Sequence, residues 1–92
     1  MTITRPDFMR DARLDRETLA LWIDSEWIIP TTELDVVTFS EKDLARAGLI
    51  QDLKLDFGVN GEGISVILHL LDQMHGLRRA LAESLEAKRP TR

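Results

Sequence analysis

The chain contains no cysteine, so disulfides, thiolate zinc sites and cysteine nucleophiles are all excluded. Proline and glycine are scarce, three and five in 92 residues, which argues against a disordered chain. Long apolar runs are also missing. The longest, Ile64 to Leu71, is broken by Ser65 and His69, far short of the ~20 residues that a membrane span needs. The N-terminal MTITRPDFMRDAR carries charge from Arg5 onward and has no apolar h-region, so it does not read as a secretion signal. Cations are outnumbered, 12 Lys and Arg against 16 Asp and Glu, for a net charge of −4. Such a chain has little phosphate-neutralising charge to offer DNA, and a basic protein partner is the easier match. These absences lead us to expect a soluble cytoplasmic protein without a membrane segment.

What is present fits one small domain over residues 1–92. A chain of this size buries roughly 60–65% of its unfolded surface, enough for a small helical core but little room for a deep cleft. Arg5 to Ala12 can form a short helix with Pro6 in its first turn and Phe8, Met9 and Ala12 as its apolar residues. LDRETLALWIDSEWIIP reads as a second helix. Asp15 is its N-cap, Leu14 a candidate staple to Leu19, and Leu19, Trp22, Ile23 and Glu26 share one side. Pro30 pushes Ile29 out of the helical region. Two short helices and a tight turn outline a helix-turn-helix over 5–30.

The β-branched residues that follow suggest a small hairpin, or wing, over 31–39. Ser40 and Asp43 then form a capping-box pattern for a third helix within 40–57, with Leu44, Ala45, Leu49, Ile50 and Leu53 as its apolar face. Gly48 inside it suggests a close helix approach. The last and longest helix spans 60–88, broadly apolar as far as Met74 and narrowing to Leu77, Leu81 and Leu85 beyond Gly76. Its first half reads as core and its second half as a seam for another chain, with an interrupted heptad through Ile64, Ile67, Leu71, Met74, Arg78, Leu81 and Leu85. The basic end, KRPTR, reads as frayed.

Candidate chemistry is thin. GVNGEG has neither the dinucleotide spacing nor the Lys-Ser/Thr of a P-loop, and Glu62 would repel a phosphate. Gly58 is better read as a turn residue and Asn60 as the helix start. His69 and His75, six residues apart, project about 120° from each other on a helix, although Asp72 lies three from each. That is a poor metal pair. No serine stands in a nucleophile-elbow context, and the carboxylates are scattered. We expect no enzyme, no cofactor and no metal. Trp22 belongs to the core, whereas Trp27 either packs under the wing or anchors a partner.

The order of elements resembles the MerR group of winged helix-turn-helix proteins: mainly α, with a small β-wing and a long C-terminal helix. In that group the second helix carries Thr-Leu-Arg-Tyr-Tyr and ends in Gly-Leu-(Leu/Ile)-x-Pro. TLALWIDSEWIIP keeps Thr18, Leu19, Ile28 and Pro30, but has Ala20 for the phosphate-contacting arginine and Glu26 for the glycine. The chain is more specifically similar to the CbpM family of chaperone modulators from Phe8 to Leu85. Phe8, the aliphatic-then-Pro30 ending, Phe39 before an acidic cap, and GISVILHLLDQMHGLRR carry that similarity, with Gly63, Ile64, Val66, Leu68, Leu71 and Asp72 in register. It implies a protein that binds the J-domain of a CbpA-type DnaJ homologue, blocks its co-chaperone action on DnaK, reduces its DNA binding, and needs no cofactor.

The residues themselves point the same way. With Leu19, Trp22 and Ile23 inward, Glu17, Ala20, Leu21 and Asp24 face outward. A DNA reader would carry Arg, Lys, Asn or Gln there. Two carboxylates around a leucine suit a basic polypeptide instead, or are simply a solvated helix face. Leu21 is either an anchor or a contact with a second copy. The expected partner-binding residues are Glu17, Leu21, Asp24 and Trp27, and the expected homodimer interface is Leu77, Leu81 and Leu85. The alternatives are a small dimeric MerR-like DNA-binding transcriptional regulator, using Arg5, Arg10, Arg13 and Arg16 for phosphates, and an orphan dimerisation module.

Overall fold

A computed structural model describes residues 2–88, so Met1 and the basic end from residue 89 lie outside the described residues. The elements run β1 (Ile3–Thr4), α1 (Arg5–Ala12), α2 (Arg16–Asp24), β2 (Thr31–Glu33), β3 (Val36–Phe39), α3 (Glu41–Leu55) and α4 (Gly61–Ala87). By compactness the chain divides into two units, Met1–Asn60 and Gly61–Arg92. It is mainly helical with a small winged sheet, the expected fold class.

The first unit starts with a strand that the sequence pattern does not show. β1 pairs antiparallel with β3, Ile3 opposite Phe39 and Thr4 opposite Thr38, which makes the wing a three-stranded sheet in the order β1-β3-β2. Two residues carry no visible periodicity, so only the pairing reveals them. Thr4 then caps α1, its hydroxyl accepting from the Asp7 N–H, and Pro6 occupies the first turn. Phe8 is fully buried and stacks on Phe39 of β3, with ring centroids 4.2 Å apart. Helix and sheet are joined there.

Ser40 and Asp43 do form a capping box at the start of α3: the Ser40 hydroxyl accepts from the Asp43 N–H and the Asp43 carboxylate accepts from the Ser40 N–H. Together they satisfy two backbone donors left open at a helix start. The inward face of α3 is the expected one at Leu44, Leu49, Ile50 and Leu53, which are buried or half-buried, but not at Ala45. Ala47 and Ile50 are its buried residues, whereas Ala45 is exposed because two positions swing it about 160° from Ala47. Gly48 marks no close approach either, since a Cβ there would meet nothing within 4 Å. Two α3 side chains reach back to backbone carbonyls: Gln51 donates to Ala12 at 2.7 Å and Arg46 donates to Trp27. These carbonyls lie where α1 ends and just after α2 ends, where no intrahelical donor remains.

The second unit is α4, 27 residues long and about 40 Å at helical rise. Gly58, at φ +63°, turns the chain before it, and Asn60 directly precedes its first residue. The glycine cluster therefore punctuates a helix.

Helix α2 ends earlier than its apolar pattern suggests, at Asp24, because Glu26 adopts φ +62°. This is the position where the resembled pattern has glycine, and a Cβ is costly in that region. Glu26→Gly is expected to raise stability by about 0.5–1 kcal/mol, read as a higher melting temperature with an unchanged far-UV spectrum.

Candidate protein-interaction surface

The outer face of α2 is set by its cap and its core. The Thr18 N–H donates to Asp15 Oδ1 at 2.7 Å, which fixes where the helix begins. Leu19 (0% exposed) and Trp22 (2%) then pin the inner side. Glu17, Ala20, Leu21 and Asp24 all lie exposed on the other side, within an arc of about 100°. Leu21 is 57% exposed and sits between the two carboxylates along the axis. No lysine or arginine interrupts this arc.

Beyond the helix the chain closes sharply. The Trp27 and Ile28 N–H groups both donate to the Trp22 carbonyl, at 2.9 and 3.3 Å. This turn carries Trp27 away from the surface. Its ring is 7% exposed and lies 6.2 Å from Trp22, tilted at 48°, so Trp27 is a core residue and not part of the exposed group. Its expected anchoring role would require an accessible ring, which the burial removes. Ile29, 69% exposed, follows it toward the wing.

The arginines that a nucleic-acid reading would use are dispersed. Arg10 pairs with Asp7 and Asp11, both at 3.2 Å, while Arg13 and Arg16 are exposed and Arg5 is half-buried. The wing, Thr31 to Phe39, has no cation at all and carries Glu33 and Asp35. Its tip, Leu34, is 97% exposed. Sequence reasoning passed over Leu34; the signal was a Leu-Asp pair standing where hairpin turns favour Asn-Gly.

A hollow of about 210 Å³ lies between the α1–α2 turn and the end of α3, lined by Arg13, Asp15, Thr18, Trp22, Gln51 and Lys54. The Trp22 Nε1 is buried and has no hydrogen-bond partner among the described residues. Among the described residues no group of three or more His, Cys, Asp or Glu side chains could hold a metal ion, and no helix is long and apolar enough to cross a membrane. His69, Asp72 and His75 are exposed on α4. Leu77, Leu81 and Leu85 are 71%, 60% and 60% exposed on the same helix.

A profile described as MerR HTH family regulatory protein matches residues 3–85. The chain belongs to the MerR HTH family. The matched span takes in the sheet, the helix-turn-helix and nearly all of α4. No curated protein and no solved structure matches the chain. The outer face of α2 is acidic and carries a leucine, and the wing has no cation.

The cap that orients this face is itself titratable. Hydrogen bonds from the Thr18 side chain and backbone hold the Asp15 pKa below its ordinary value of 3.8. A lowered folded-state pKa adds stability that is full above the unfolded value and disappears as pH falls through the folded one. Asp15→Asn keeps a capping acceptor but loses this charge. Thermal melts should show wild type above the variant at neutral pH, with the gap shrinking only below about pH 4.

Proposed function

We propose that this protein is a protein-binding modulator that docks on the J-domain of a CbpA-type DnaJ homologue, inhibiting its co-chaperone action on DnaK and its DNA binding. One observation carries the reading: the exposed face of α2 offers Glu17, Leu21 and Asp24, with Ala20 where the resembled pattern has a phosphate-contacting arginine. J-domains present a basic second helix to DnaK. Two carboxylates steer toward such a helix, and the leucine between them supplies apolar contact once the surfaces meet. A DNA duplex would be repelled by the same face. The similarity of GISVILHLLDQMHGLRR to the CbpM family adds independent support.

The modulator acts as a homodimer. Along α4, Val66, Leu70, Met74, Leu77, Leu81 and Leu85 are all exposed, at spacings of four, four, three, four and four residues. That repeat keeps them on one arc of about 100° over the length of the helix. A stripe of this length on one chain favours a second copy as its cover. The interface centres on Leu77, Leu81 and Leu85.

The test is DnaK ATPase stimulated by the cognate J-domain protein. Stoichiometric excess of the modulator should suppress the stimulation, and no inhibition would discard the reading. Glu17→Lys with Asp24→Lys should slow association about tenfold while leaving dissociation nearly unchanged. In a gel shift the wild-type chain should show no steep log–log salt dependence, the mark of a true DNA reader. Separately, Leu77→Glu with Leu81→Glu should halve the sedimentation mass; an unchanged mass would place the self-association elsewhere or remove it.

A further inference from the structure

The hairpin between β2 and β3 closes with only two residues. Glu33 pairs with Val36, and Leu34 and Asp35 form the loop at φ +48° and +65°. Positive φ at both central positions is the geometry that Asn-Gly adopts at little cost and that a branched side chain resists. Leu34 is nevertheless there, and it is 97% exposed. Among the described residues it finds almost no packing contact that could offset the strain, and its isobutyl group stands in water. Strain and exposure at one residue are folding costs without return inside the chain, which points outside it.

The flanks state what kind of surface would receive it. Glu33 and Asp35 border the leucine, Val36 beside them is 59% exposed, and Thr31 to Phe39 contains no lysine or arginine. Phosphate backbones and anionic lipid are repelled. A second copy is a poor match, because the chain's own net charge is −4. A protein with an apolar socket rimmed by lysine or arginine complements both features.

We propose that the wing tip is an anchor, with Leu34 entering an apolar socket and Glu33 and Asp35 pairing with its basic rim. The inference rests on the modulator reading above and assigns this anchor to the same basic partner that the α2 face recognises.

The experiment uses full-length protein and the purified J-domain co-chaperone. Leu34→Asn relieves the turn, so its melting temperature should equal or exceed that of wild type. Its dissociation constant should nevertheless rise about tenfold, mainly through faster release. Leu34→Met keeps the strain and the apolar volume and should keep the affinity. Glu33→Lys should slow association. If Leu34→Asn binds like wild type while Glu17→Lys with Asp24→Lys does not, the wing anchor is wrong and the modulator reading stands. If wild type does not bind the J-domain at all, both fall. A melting temperature well below wild type, or a change in sedimentation mass with unchanged affinity, would assign Leu34 to the fold or to a second copy and overturn the proposal.

Discussion

The stacking of Phe8 on Phe39 is the contact on which the first unit depends. One ring belongs to α1 and the other to β3, and Phe39 is also the residue paired with Ile3 of β1. A single aromatic pair therefore joins the first helix, the wing and the N-terminal strand. Both rings are almost completely buried. Deleting a buried phenylalanine costs on the order of 3–5 kcal/mol, a large part of the stability of a domain this small.

Helix α3 completes the arrangement by polar means. Its side chains Gln51 and Arg46 supply donors to carbonyls at Ala12 and Trp27, close to the ends of the two helices that precede the wing. An open carbonyl at a buried helix end is costly, so these bonds discourage other orientations of α1 and α2. With Leu19 and Trp22 held inward, the outward direction of Glu17, Leu21 and Asp24 is no longer free. The exposed face of α2 is the complement of its core face.

The charge of these exposed surfaces is set separately from the core. The family fold presents a helix and a wing side by side in sequence, and in a DNA reader both must carry cations. Here both carry acids and one exposed leucine each, Leu21 on the helix and Leu34 on the wing. Surface residues alone set this charge, and the buried residues among those described are all apolar.

Local rules made much of this legible without coordinates. Asp15 as a cap, Ser40 with Asp43 as a capping box, Gly58 as a turn and Trp22 as core each follow from interactions within a few residues, so the amino-acid order was enough to determine them. The outward residues of α2 followed from the same periodicity. Tertiary structure decided the rest. β1 exists only through its pairing with β3, Ala47 replaces Ala45 on the buried face of α3 because of what that face meets, and Trp27 is drawn inward by the turn at Glu26. Leu34 could be seen in the sequence, but its exposure and its left-handed backbone could not. Those properties depend on the two-residue closure of the β2–β3 hairpin and on no described residue packing over its tip.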